Sequence, residues 1–113
     1  MKSDRKKLVA RLDKIFSLYI RKRDKACVIC NTRENLTNGH LFSRIAYSTR
    51  WDEKNCHCNC SGCNFRHEHD ASKYTLFFIR KYGLPAYEDM ARQFHQTKKF
   101  TNSDLEKLIE KYR

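Results

Sequence analysis

The chain has 113 residues, in which 24 Lys and Arg outweigh 13 Asp and Glu, for a net charge of +11 at neutral pH. That length implies one small domain, and no apolar run approaches the roughly 18 to 20 residues of a membrane span, which excludes a transmembrane protein. At 12% aromatic alongside 33% charged, the chain holds too much Phe and Tyr for disorder. The charged stretch 1–7 is followed by no apolar core with a small-residue cleavage site, so an intracellular protein is expected.

In chain order, Leu8, Leu12, Ile15, Phe16 and Tyr19 recur at helical spacing and predict an amphipathic helix over 4–24. Its other faces carry Arg5, Lys6, Lys7, Arg11, Lys14, Arg21, Lys22 and Arg23, which read either as a solvated surface or as one facing phosphates. Residues 27–39 read as a cysteine knuckle and turns. Two short strands are predicted at 36–43 and 50–58, joined by a polar loop. After Cys63 one helix is expected through Tyr74, Phe77, Phe78 and Tyr82, stopped by Gly83 and Pro85. A shorter helix follows over 86–96. The last, over 104–112, has Ser103 and Glu106 at the spacing of a capping box.

Six cysteines in an intracellular chain point to metal rather than disulfides. Cys27 and Cys30 form one Cys-x-x-Cys pair and Cys60 with Cys63 another, and two such turns complete the tetrahedron that Zn²⁺ prefers. Cys56 and Cys58 share strand alternation with Cys60 and are assigned to core packing. The strands lie inside this zinc loop and a helix begins at its last cysteine. The expected fold is therefore α+β, a zinc-pinned ββα core over 26–82. A basic helix (1–25) precedes it and C-terminal helices (83–113) follow.

Within that core, His40 ends the first strand and Asn64 follows the last zinc cysteine. An imidazole and an amide oxygen on two sides of a cleft suffice for metal-assisted phosphodiester hydrolysis. His40 would take a proton from water, and a Mg²⁺ or Mn²⁺ ion held by Asn64 would polarise the phosphate. Asn64 has a competing reading as the helix cap. His67 and Glu68, at i+3 and i+4 from Asn64, are further candidates for that ion, and His57 and His69 weaker ones.

These segments, Cys27-Val28-Ile29-Cys30, Gly39-His40, Arg50-Trp51-Asp52-Glu53-Lys54-Asn55-Cys56-His57 and Cys60-Ser61-Gly62-Cys63-Asn64, resemble the HNH, or ββα-metal, nucleases. Among these the phage NinG (Rap) recombination endonucleases are most similar, over roughly residues 15 to 113. The resemblance implies an HNH-like fold with His40 as general base, Asn64 as a metal ligand, and Asn55 holding the loop between the strands in shape. It departs at Gly39, where many members carry an acidic residue.

The basic balance suits a polyanion, whose phosphates are neutralised without regard to sequence. Arg44, Arg50, Lys54 and Arg66 are the expected DNA contacts. The resemblance implies branched or junction DNA as the partner, in a host cytoplasm if the chain is a phage protein. Paired nicks at a junction would suit a homodimer, for which no heptad or interface signal is present. The competing readings are a non-catalytic zinc DNA-binding module and a zinc-knuckle adaptor for a protein partner. Neither needs Gly39-His40 together with Cys63-Asn64.

Overall fold

The computed structural model describes residues 2–113. It is an α+β fold, mostly helical, around one two-stranded antiparallel sheet. Helix α1 spans Lys2–Asp24 and buries Leu12, Phe16 and Ile20, one stripe at helical spacing. Basic residues crowd its last turn, where they complement the helix dipole. The chain then enters the knuckle through Lys25, at φ 66°.

Strand β1 is Leu36–His40 and β2 is Cys56–Cys60, in a register that pairs His40 with Cys56 and Gly39 with His57. Both are shorter than the sequence predicts. Beyond His40 one more backbone bond, from Leu41 N–H to the Asn55 carbonyl, gives way to a side chain: Asn55 Oδ1 accepts the Phe42 N–H, and its Nδ2 donates to the Phe42 and Thr49 carbonyls. A buried amide thus pinches the loop closed where a strand was expected. Arg50, expected to open the second strand, instead ends a short helix α2, Tyr47–Arg50. That helix is held by the rings of Tyr47, Trp51 and Phe100.

The predicted long helix after Cys63 is two helices, α3 (Ser61–His67) and α4 (Ser72–Tyr82). Asp70 Oδ1 accepts the Ser72 N–H at 3.0 Å, an Asx turn that restarts the chain in a new direction. Gly83, at φ 93°, makes the next break where a β-carbon would be strained, and Pro85 opens α5 (Leu84–His95). Helix α6 spans Asn102–Tyr112. Its capping box is Thr101 with Asp104, two residues before the expected Ser103 and Glu106.

Two apolar clusters flank the sheet. Leu12, Phe16 and Ile20 of α1 meet Trp51, Cys56, Leu105 and Ile109, while Leu41, Tyr74, Phe78 and Met90 pack on the other side. Cys56 and Cys58 are fully buried, in line with a packing role. The end of α1 is stitched to β2 by polar bonds. Arg23 donates to the Glu53 and Cys56 carbonyls, and Asp24 accepts the Cys58 N–H at 2.8 Å. Glu53 in turn accepts the hydroxyls of Tyr19 and Tyr112, which ties α1 to α6. Among the described residues, no helix is long and apolar enough to cross a membrane.

Candidate active site and metal centre

The knuckle after α1 and the start of α3 bring Cys27, Cys30, Cys60 and Cys63 together, with all four sulfurs within 4.8 Å of one another. Local backbone builds this cluster. The Ile29 and Cys30 N–H groups point at Cys27 Sγ, and Cys60 Sγ accepts the Cys63 N–H as the cap of α3. Burial opposes ionisation of Cys27, yet these backbone donors hold its thiol down at about 7. Four close sulfurs, with no other ligand type between them, suit a closed tetrahedral zinc site. They are positioned to bind one metal ion, and structural zinc is compatible with them.

A cleft of about 360 Å³ opens where the end of β1 meets α3, and it is lined by Asn38, His40, Arg44, Asn64, His67 and Glu68, among others. His40 ends β1, and its Nε2 lies 2.9 Å from the Arg50 carbonyl oxygen. A carbonyl can only accept, so Nε2 carries the proton and Nδ1 keeps the lone pair in the neutral ring. Burial pushes the His40 pKa below 6.5, helped by the charges of Arg44 and Arg50 and opposed by the Arg50 carbonyl and Asp13. The ring is therefore mostly uncharged at neutral pH.

Asn64 lies inside α3, whose cap is Cys60, so the capping alternative is removed. Its amide has no hydrogen-bond partner among the described residues, and Glu68 follows one turn later on the same face. His67 differs. Its Nε2 donates to the Leu41 carbonyl at 2.8 Å, and its Nδ1 is buried without a partner. Neither ring nitrogen is therefore open to the cleft. His57 is buried on the other side of the sheet among Tyr74, Phe77 and Tyr82, hydrogen-bonded to the Tyr82 hydroxyl. His69 packs edge-on against Phe65 and is absent from the cleft lining.

The four expected DNA contacts are dispersed. Arg44 lines the cleft and is exposed. Arg50 is mostly buried between the Tyr47 and Trp51 rings, its guanidinium gripped by Asp13. Lys54 sits over the Tyr82 ring, and Arg66 lines a separate groove behind α3.

The sequence reading missed Asp13. From α1 it accepts from Arg50, Arg44 and the Trp51 indole, and so braces the segment whose carbonyl holds His40. Its one visible signal is an acid in the middle of a basic helix. The family model described as Bacteriophage Lambda NinG protein matches residues 1–113. The chain belongs to the NinG family. No curated protein and no solved structure matches it. Gly39 is shaped by what packs on it: a β-carbon there would lie 1.9 Å from Asn59 Oδ1. In this NinG protein, then, the residue before His40 has no space for an acidic side chain.

Proposed function

We propose that this NinG protein is a metal-dependent DNA endonuclease of the HNH type, acting on branched DNA in phage recombination. One observation carries this reading. His40, its Nε2 committed to the Arg50 carbonyl, shares a cleft with the unpartnered Asn64 amide and Glu68. A binding module has no use for a neutral, oriented imidazole beside such donors.

The roles follow from the chemistry of each group. His40 accepts a proton from water at Nδ1 while the Arg50 carbonyl fixes the ring. Arg44, at the cleft rim, attracts the phosphate. Asn64 and Glu68 offer oxygen donors at i and i+4, a set that suits Mg²⁺ or Mn²⁺. A cation there would supply positive charge against the phosphate and the leaving oxygen. His67 serves differently, tying α3 to the Leu41 carbonyl next to His40. The cysteine cluster holds strand and helix together through zinc.

Gly39 favours the second reading, a zinc-stabilised DNA-binding module, because it stands where many HNH nucleases carry an acidic residue. Plasmid nicking separates the two. Supercoiled DNA should be nicked with Mg²⁺ or Mn²⁺ and left intact with EDTA. His40→Ala should lower the rate by about 10² to 10⁴-fold with binding and zinc content unchanged. Intact plasmid in every metal, with DNA still bound, would establish the module instead.

A further inference from the structure

On the far side of α3 from the cleft, a groove of about 540 Å³ runs between the cysteine knuckle and α4. Arg66 enters it from α3, and Lys73, Arg80 and Lys81 from α4, with Ile29 and Phe77 among the apolar residues between them. Lys73, Arg80 and Lys81 stand at i, i+7 and i+8, on one helical face about 12 Å long. None of the four forms a salt bridge among the described residues. No Asp or Glu lines the groove, whose wall at the knuckle includes Cys30 and Cys63 of the cysteine cluster. Asp70 shares a small adjoining cavity with Arg66 and Lys73 and accepts the Ser72 N–H.

We infer that this groove is a second nucleic-acid surface, taking the phosphate backbone of DNA whose cleavage site lies in the His40 cleft. The inference rests on the DNA-binding part of the proposed function, not on catalysis. Charge complementarity selects the occupant, since each strand of a duplex carries a phosphate about every 3.4 Å of axis and so runs about three or four past this face. Continuity supports the same choice. Helix α3 places Asn64 and Glu68 on the cleft and Arg66 on the groove, and a helix is only about 10–12 Å across. A duplex crossing α3 meets both surfaces.

The test is DNA binding in EDTA across a salt series, with wild type, the K73Q/R80Q double variant and a K107Q/K111Q control on α6. Each lost phosphate contact removes about 0.9 from the log–log salt slope. The slope of K73Q/R80Q should be shallower by about 1.8, with affinity reduced by roughly 10 to 100-fold at low salt, while the control stays near wild type. A wild-type slope in K73Q/R80Q would overturn the groove, as would an equal loss in the control, which would mark a diffuse charge effect. Wild type that fails to bind DNA overturns the DNA reading and the groove together. Wild type that binds but never nicks overturns only the nuclease.

Discussion

The Nε2 atom of His40 donates to the backbone carbonyl of Arg50 across 2.9 Å, and the guanidinium of that same Arg50 is gripped by Asp13 of α1. One residue thus links the imidazole to the longest helix through two different groups. The buried thiol of Cys56 donates to the same carbonyl at 3.5 Å. A ring held this way loses rotational freedom and keeps Nδ1 as its accepting nitrogen.

The first prediction is a pH profile. A general base works only when unprotonated, and burial lowers the His40 pKa below 6.5. Single-turnover cleavage should therefore rise with pH below about 6.5 and be flat in this limb by pH 7. A midpoint above 7 would contradict the buried, charge-flanked imidazole described here.

A second prediction concerns Asp13. Burial alone would raise its pKa, but Arg50, Trp51 and Arg44 hold it below 3.8. The stabilisation is present above the unfolded value and is lost as pH falls through the lower folded one. Asp13→Asn should cost about 1–3 kcal/mol in denaturant unfolding at pH 7, and the deficit should shrink below pH 4. Because Asn removes the brace on Arg50, cleavage should fall more than DNA affinity does. Equal losses would make Asp13 a stability residue only.

A third prediction tests the cysteine assignment. Metal analysis should find about one Zn²⁺ per chain, retained in Cys56→Ala and Cys58→Ala. Cys27→Ser and Cys60→Ser should lose it and much of the fold, because structural zinc contributes folding energy directly. Zinc missing from either alanine variant would mean a different ligand set.

What could be read from the sequence was local or periodic. The Cys-x-x-Cys pairs specify their own turns, and the stripe of Leu12 and Phe16 specifies a helix face without knowing its partner. Features set by distant hydrogen bonds were hidden. Asp13 meets Arg50 and Trp51 across 37 and 38 residues, and nothing local marks that pairing. The commitment of His67 Nε2 to Leu41 spans 26 residues. Its spacing from Asn64 was legible, whereas the bond of its Nε2 to a carbonyl just past β1 was not. The break before α4 carried a signal in Asp70 and Ser72, and the aromatic stripe that predicted one helix, Tyr74, Phe77, Phe78 and Tyr82, lies wholly after it. The early end of β1 was set by Asn55, whose side chain reproduces the bonds of a strand.

The last prediction concerns Gly39 and Asn59. They sit on the face of the sheet turned toward Tyr74, and Asn59 is fully buried with its Oδ1 unpartnered. A β-carbon on residue 39 would meet that oxygen at 1.9 Å and the amide carbon at 2.5 Å, in a place where the side chain cannot swing into solvent. Gly39→Ala should therefore destabilise the protein by about 1–3 kcal/mol, the usual cost of overpacking. Asn59→Ala removes the colliding atoms and keeps only a tight 3.1 Å approach to its own β-carbon. In the double variant most of the Gly39→Ala penalty should vanish, giving a coupling of at least about 1 kcal/mol in a double-mutant cycle. Additive effects would mean that glycine is required at 39 for its backbone, not for the space that Asn59 fills.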